Sequence, residues 1–336
     1  MTSLVIQLLL MLLVILAASE LFTNALEHLG EKLGISEGVT GSVFAAVGTA
    51  LPETMVPLLA IFAGTANANI NEEIGVGAIL GAPLMLATLT TCLMALAIAR
   101  RRGMRGTVRP ERSGFLRDLD FFLFAFVLAA AAMFVPQEAR HVRGALSFVL
   151  VLTYFVYIML TLRASENLVK LGHGTEANEQ MFLCRVGLPA KLPTILLQLG
   201  IGLALLVFGA EGFIRGVEGV SKILGISALL LSLLIIPIAT ELPEKVNSIL
   251  WIRRGKDTLA FGNITGAMVF QGTLLPAIGI MLTPWQPRIE VLTGIMVTLI
   301  AAAWLRVNAR SGGLFVWVLL ANGGLYLGFL AITLTR

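Results

Sequence analysis

Thr49-Ala50-Leu51-Pro52-Glu53 sets a carboxylate one step after a proline inside an otherwise apolar run, and Thr240-Glu241-Leu242-Pro243-Glu244 repeats the pattern 191 residues later. The same offset aligns Glu20 with Glu211, Phe22 with Phe213, Glu27 with Glu218, and Leu33-Gly34-Ile35-Ser36 with Leu224-Gly225-Ile226-Ser227. From position 20 to 53, eleven of 34 aligned residues are identical, and they include carboxyl and proline positions as well as the Leu that two apolar helices share by composition. The chain reads as a duplication with an acidic centre in each copy.

Working outward from these centres, the surrounding sequence is that of a membrane protein. Of 336 residues 57% are hydrophobic and 13% charged, where globular proteins carry about a quarter charged residues. Apolar runs near the ~20 residues that a bilayer requires fall at 4–26, 38–66, 73–99, 118–136, 142–162, 192–215, 227–252, 258–282, 290–306 and 313–334. The expectation is an all-α integral membrane protein of ten transmembrane helices. The formal charge of +4 marks topology, not a nucleic-acid partner. Seventeen basic residues, including the run from Arg100 to Arg117, lie on one set of alternate connections and six on the other, with Lys245 inside a span. By the positive-inside rule the first set is cytoplasmic and both termini are extracytoplasmic, as in a multi-pass plasma (inner) membrane protein. Residues 1–7 carry no basic side chain, and the first apolar segment has an aligned counterpart before Gly225, so it reads as a retained helix and not a signal peptide. Cys92 and Cys184 have no disulfide or metal spacing.

Five spans per copy is an odd number, so the second copy enters the membrane from the opposite face. The domain expectation is a first five-helix repeat over 1–162, a cytoplasmic linker over 163–190 and a second five-helix repeat over 191–336. Inverted repeats of this kind are common in secondary transporters, with the substrate site near the midplane. After the acidic centres the copies stay aligned at a new offset of 185, which sets Gly77-Ala78-Ile79-Leu80-Gly81 against Gly262-Asn263-Ile264-Thr265-Gly266. A Gly-x-x-x-Gly spacing puts both glycines on one helix face for close backbone approach.

A carboxylate inside a span is costly and marks a functional site by default. Proline in a helix interior frees the carbonyl four residues back, which is Gly48 for Pro52 and Ala239 for Pro243. Thr49 and Glu53 are i, i+4 on one face, as are Thr240 and Glu244. Each centre thus offers a carboxylate, a hydroxyl and a backbone oxygen. Two such half-sites facing one another would form an all-oxygen set suited to calcium. The competing account makes Glu53 and Glu244 protonated structural acids.

Thr-x-Leu-Pro-Glu followed by a Gly-x-x-x-Gly helix, in duplicate, resembles the alpha-repeats of the cation/calcium exchanger superfamily, whose pattern is G-T-S-L-P-E and then G-N-x-x-G-S-N-x-x-N/D. The resemblance implies ten helices in two inverted halves and exchange of calcium for sodium, protons or potassium. It implies that Glu53 and Glu244 are the central calcium ligands, with Thr49 and Thr240 beside them. The pattern is also departed from. The family serine is Ala50 in one copy and Glu241 in the other, Ala82 and Ala267 replace a second serine, and the terminal Asn/Asp is Leu86 or Gln271. Asn263 alone keeps the G-N pair, where the first copy has Ala78. Those serines and that Asn/Asp are the family's usual sodium ligands, so sodium coupling in particular is weakened. Glu241 either joins ion binding as a titratable group or is neutralised by Lys245 four residues later.

The functional expectation is a secondary active antiporter exchanging calcium, or a similar divalent cation, for sodium or protons by alternating access. It has the transported cations and the lipid bilayer as partners and no cofactor. The alternatives are a proton-coupled exchanger of another cation, and a degenerate member that senses or scaffolds without transport. The reading from another class, an intramembrane hydrolase using paired acids, requires a nucleophile or metal-ligand set, and neither a His nor a suitable Asp is placed for one: His28, His141 and His173 all fall in expected loops. The oligomeric state is not legible.

Overall fold

A computed structural model describes residues 2–32, 51–63, 66–169, 180–309 and 313–334. The helices are α1 (Thr2–Lys32), α2 (Leu51–Ala63), α3 (Ala68–Met85), α4 (Thr91–Arg102), α5 (Arg112–Ala132), α6 (Arg140–Val169) and the short α7 (Phe182–Arg185). They continue with α8 (Leu192–Leu224), α9 (Ala228–Thr240), α10 (Leu242–Arg253), α11 (Asp257–Leu282), α12 (Ile289–Asn308) and α13 (Val316–Leu334). A two-residue strand β1 (Thr107–Val108) pairs antiparallel with β2 (Leu314–Phe315). Among the described residues, six helical stretches are long and apolar enough to cross a membrane: Ala68–Arg102, Arg140–Thr161, Leu192–Leu224, Ala260–Leu282, Ile289–Asn308 and Val316–Leu334. Ile6–Phe22, Glu53–Phe62 and Ala228–Pro237 are shorter apolar helices.

Of the expected spans, 118–136 falls on α5, which belongs to neither group, and the part of 38–66 before Leu51 lies outside the described residues; two further runs differ in course. The run 227–252 is not one helix: α9 stops at Thr240 and α10 starts at Leu242, with Glu241 between them at φ −93°, ψ 11°. Pro243 stands in the first turn of α10, where its missing N–H costs no helical hydrogen bond and its fixed φ suits a helix start. The run 73–99 is continuous from Ala68 to Arg102, but α3 passes into α4 through a π-helical turn at Leu86–Thr90. A π turn leaves a carbonyl off the regular ladder. The buried Asn322 of α13 donates its Nδ2 to Ala87 O at 2.8 Å, and Thr91 Oγ1 donates to the same oxygen.

The chain forms two compact units. One comprises residues 1–71 and 158–226, the other 72–157 and 227–336. In the first, α8 lies along α1 through glycines spaced by seven. A Cβ added to Gly202, Gly209 or Gly216 would meet Phe22, Ile15 or Leu8 of α1, so the missing side chains set how closely the two helices approach. Asn24 and Gln198 add a buried polar lock. Gln198 Nε2 donates to Asn24 Oδ1 at 2.9 Å, and Asn24 Oδ1 and Gln198 Oε1 accept from the backbone N–H groups of Phe182 and Leu183 at the start of α7. The second unit packs α5, α11 and α12 together, with α13 against α4 and the π turn.

Candidate functional site

The second acidic centre is built within the second unit by four helices, α3, α9, α10 and α11. The first requirement is close approach of α3 to α9. A Cβ on Gly77 would overlap Ser232 Oγ and the Leu229 carbonyl, and one on Gly81 would overlap the Leu233 carbonyl and the Pro237 ring. The first-copy Gly-x-x-x-Gly is therefore seated on the backbone of α9, as its spacing predicts. The contact carries Met85, the last residue of α3 and one turn beyond Gly81, to the end of α9.

The second requirement is the break at Glu241. It has no side-chain capping bond to α10, and its carboxylate turns to other partners. Glu241 is 0% exposed, Gln271 2% and Lys245 7%. Gln271 Nε2, from α11, donates to Glu241 Oε1 at 3.0 Å, and Lys245 Nζ lies 3.8 Å from Glu241 Oε2. The ammonium also donates to Pro237 O at 2.7 Å and to Met85 Sδ at 3.1 Å. A carboxylate and an ammonium taken out of water both need such partners, because an uncompensated buried charge costs several kcal/mol, on the order of 3–5 when one member of a pair is removed. Gln271 Oε1 is buried and accepts no hydrogen bond among the described residues.

Of the residues expected at the site, the structure brings Glu241, Lys245 and Gln271 into contact. Thr240 is buried beside them, and its hydroxyl donates back to Ile236 O at 3.1 Å. Glu244 falls in the first turn of α10 and Ala239 in the last turn of α9; the helix break between Thr240 and Glu244 means that one continuous helix does not set their common face. Asn263 Nδ2 donates to Ser248 Oγ at 3.0 Å, joining α11 to α10. In the first centre, Glu53 stands in the first turn of α2 and is 3% exposed, while Gly48 and Thr49 lie outside the described residues. Away from the centres, Glu211 pairs with Arg215 and Glu218 with Lys222, both i, i+4 on the outside of α8, and Glu20 is exposed.

Sequence reasoning missed Met85, the Pro237 carbonyl and Ser248. A thioether and a backbone oxygen carry no sequence signature as ligands, and Met85 aligns with Phe270 in the other copy, so the duplication does not point to it.

A family model described as sodium/calcium exchanger protein matches residues 3–163 and 194–335, nearly the whole chain. Inner membrane protein YrbG of Escherichia coli (strain K12) is 26% identical over 278 residues, which is 82% of this chain and 78% of that protein. A putative antiporter, CaxA of Alkalimonas amylolytica, is 27% identical over 279 residues, 81% of this chain and 79% of that one. Among solved structures, the H+/Ca2+ exchanger CAX superposes with a TM-score of 0.71 at 20% identity, over 98% of this chain and 82% of that one.

Proposed function

The chain belongs to the sodium/calcium exchanger protein family, and on that premise we propose that it is a secondary active antiporter moving calcium, or a similar divalent cation, against sodium or protons by alternating access. The observation that carries the reading is a buried carboxylate at each proline-centred motif, Glu53 at 3% and Glu241 at 0% exposure. Burial of two such groups in apolar helices is expensive and is the mark of an ion pathway. In this reading Glu53 and Glu244 bind the divalent ion through their carboxylates. Thr49 and Thr240 supply hydroxyls, Gly48 and Ala239 backbone oxygens, and Gln271 and Asn263 amide oxygens. All are hard donors of the kind calcium takes. The chain is then a duplication of two inverted five-helix repeats, 1–162 and 191–336, joined by a cytoplasmic linker over 163–190. Both termini are extracytoplasmic, following the excess of basic residues on alternate connections.

The test is calcium-45 uptake into vesicles of purified protein with a sodium or a proton gradient imposed separately. Uptake under at least one gradient is expected, together with its loss in Glu53→Gln and Glu244→Gln. Equal uptake by wild type and both variants would overturn the assignment.

A further inference from the structure

We propose that Lys245 is a tethered cation, whose ammonium permanently holds the place of one monovalent counter-ion in the second acidic centre, so that no sodium ion binds there. The consequence for transport rests on the exchanger reading, whereas the binding geometry stands without it.

The place the ammonium occupies is a cation site by construction. Pro237 O belongs to the last turn of α9, where the helix dipole is negative, and it accepts the Glu241 N–H only at a long 3.4 Å, which leaves it open to a second donor. In secondary transporters the carbonyls and C-terminal ends of broken helices are what coordinate sodium or protons. The helix break adds the carboxylate of Glu241 to that carbonyl, with Gln271 of α11 donating to its other oxygen, and α3 adds Met85 Sδ. Lys245 Nζ sits among these groups, 2.7 Å from the carbonyl and 3.8 Å from the carboxylate. Its position one turn into α10 and its flexible four-carbon stem let a compact point charge fold back onto the end of α9. In formal charge, Glu241 and Lys245 cancel.

An ordinary structural ion pair is the rival account, and the two differ in what replaces the ammonium. Buried pairs are often neutral to exchange for apolar residues of like size, whereas removal of one member is costly. A structural pair therefore predicts that Lys245→Met is destabilised in every salt alike. A tethered cation predicts that a free cation of suitable size takes over the vacated position.

The experiment follows the thermal midpoint of the purified full-length protein as sodium chloride replaces choline chloride at constant ionic strength. It compares wild type, Lys245→Met and the charge-neutral double variant Glu241→Gln with Lys245→Met. The midpoint of Lys245→Met is expected to rise saturably with sodium beyond any rise in wild type, because a ligand that binds only the folded state stabilises it by mass action. The double variant should not share that gain. In vesicles, calcium-45 uptake by Lys245→Met should acquire a sodium dependence steeper than that of wild type. Lys245→Gln is carried alongside as a second single variant. The tether is overturned if neither single variant responds to sodium more than wild type and the double variant do, or if neither is recovered folded in sodium. Absence of calcium uptake by the wild type under every gradient would sink the exchanger reading and leave the sodium titration to judge the tether.

Discussion

Helices α3 and α11 occupy aligned positions in the two copies and carry the same glycine spacing, yet they are held by opposite means. The glycines of α3 press its backbone against α9, where an added Cβ would overlap carbonyl oxygens. At Gly266 of α11 a Cβ would meet only the Tyr157 hydroxyl at 3.5 Å, and at Gly262 it would meet nothing within 4 Å. Polar side chains secure α11 instead. Asp257 at its start takes both Nη atoms of Arg102 at 2.8 Å, Thr265 donates to the buried Asp118 at 2.6 Å, and Gln271 reaches Glu241. Arg143 gathers the carbonyls of Ile280, Thr283 and Pro284 at its end. A shared motif thus fixes where a helix can approach a partner, and the surrounding side chains decide whether that approach is what holds it.

The largest effect that this difference predicts has opposite signs in the two copies. Gly81→Ala must separate α3 from α9, because the obstacle is backbone and cannot rotate away. The expected loss is about 3 kcal/mol, at the upper end for overpacking. Gly262→Ala meets open space and removes a helix-weakening glycine, so it should be neutral or stabilising by up to about 1 kcal/mol. Thermal midpoints of both variants in one detergent measure this, and equal losses would break the comparison. The next effect belongs to α11. Arg143→Met strips donors from three carbonyls in a mostly buried setting, and charged hydrogen bonds of this kind contribute on the order of 1.5–3 kcal/mol. A drop of about 2 kcal/mol is expected, accompanied by faster amide exchange at the end of α11. A midpoint within error of wild type would mean that α11 is held elsewhere.

The same contrast explains what the sequence made legible. The doubled Thr-x-Leu-Pro-Glu and the first glycine pair pointed to where the helix breaks before Pro243 and where α3 is pressed onto α9, because proline and glycine act on the backbone whatever their neighbours are. Glu241 and Lys245 could be paired on paper, since four residues make one helical turn. The break at Glu241 was not read from hydropathy, because the apolar residues of α9 and those from Ile249 to Ile252 kept 227–252 within one expected span. Arg143, one of the six basic residues on the other set of connections, proved to be a cap for the end of α11, 140 residues away, and Met85 gave no sign of meeting Lys245. Both contacts join side chains to partners that the duplication does not repeat, so comparison of the copies could not find them. Arg102 was likewise counted among the topological arginines, although its partner Asp257 fixes the start of α11.

The smallest prediction concerns the outermost of the polar attachments of α11. The backbone N–H of Glu111 donates to Thr258 Oγ1 at 3.0 Å, and the Glu111 carboxylate caps α5 by accepting from the N–H groups of Ser113 at 2.7 Å and Gly114 at 2.6 Å. Partial burial raises the proton affinity of this carboxyl. The Gly114 and Ser113 donors, with Arg117 nearby, together outweigh that and hold it below its ordinary value of 4.5. A carboxyl that is more acidic folded than unfolded adds stability above the unfolded value, and that stability fades as pH falls through the folded one. Because the group is exposed and screened, the contribution is a few tenths of a kcal/mol. Glu111→Gln keeps an oxygen at the cap but cannot carry the charge, so its midpoint should lie slightly below that of wild type near pH 7. The gap should close as the buffer is taken below about pH 4, the direction fixed by a depressed carboxyl. A gap that instead widens toward acid would assign the capping strength to the neutral form and detach α5 from the account of how α11 is held at its start.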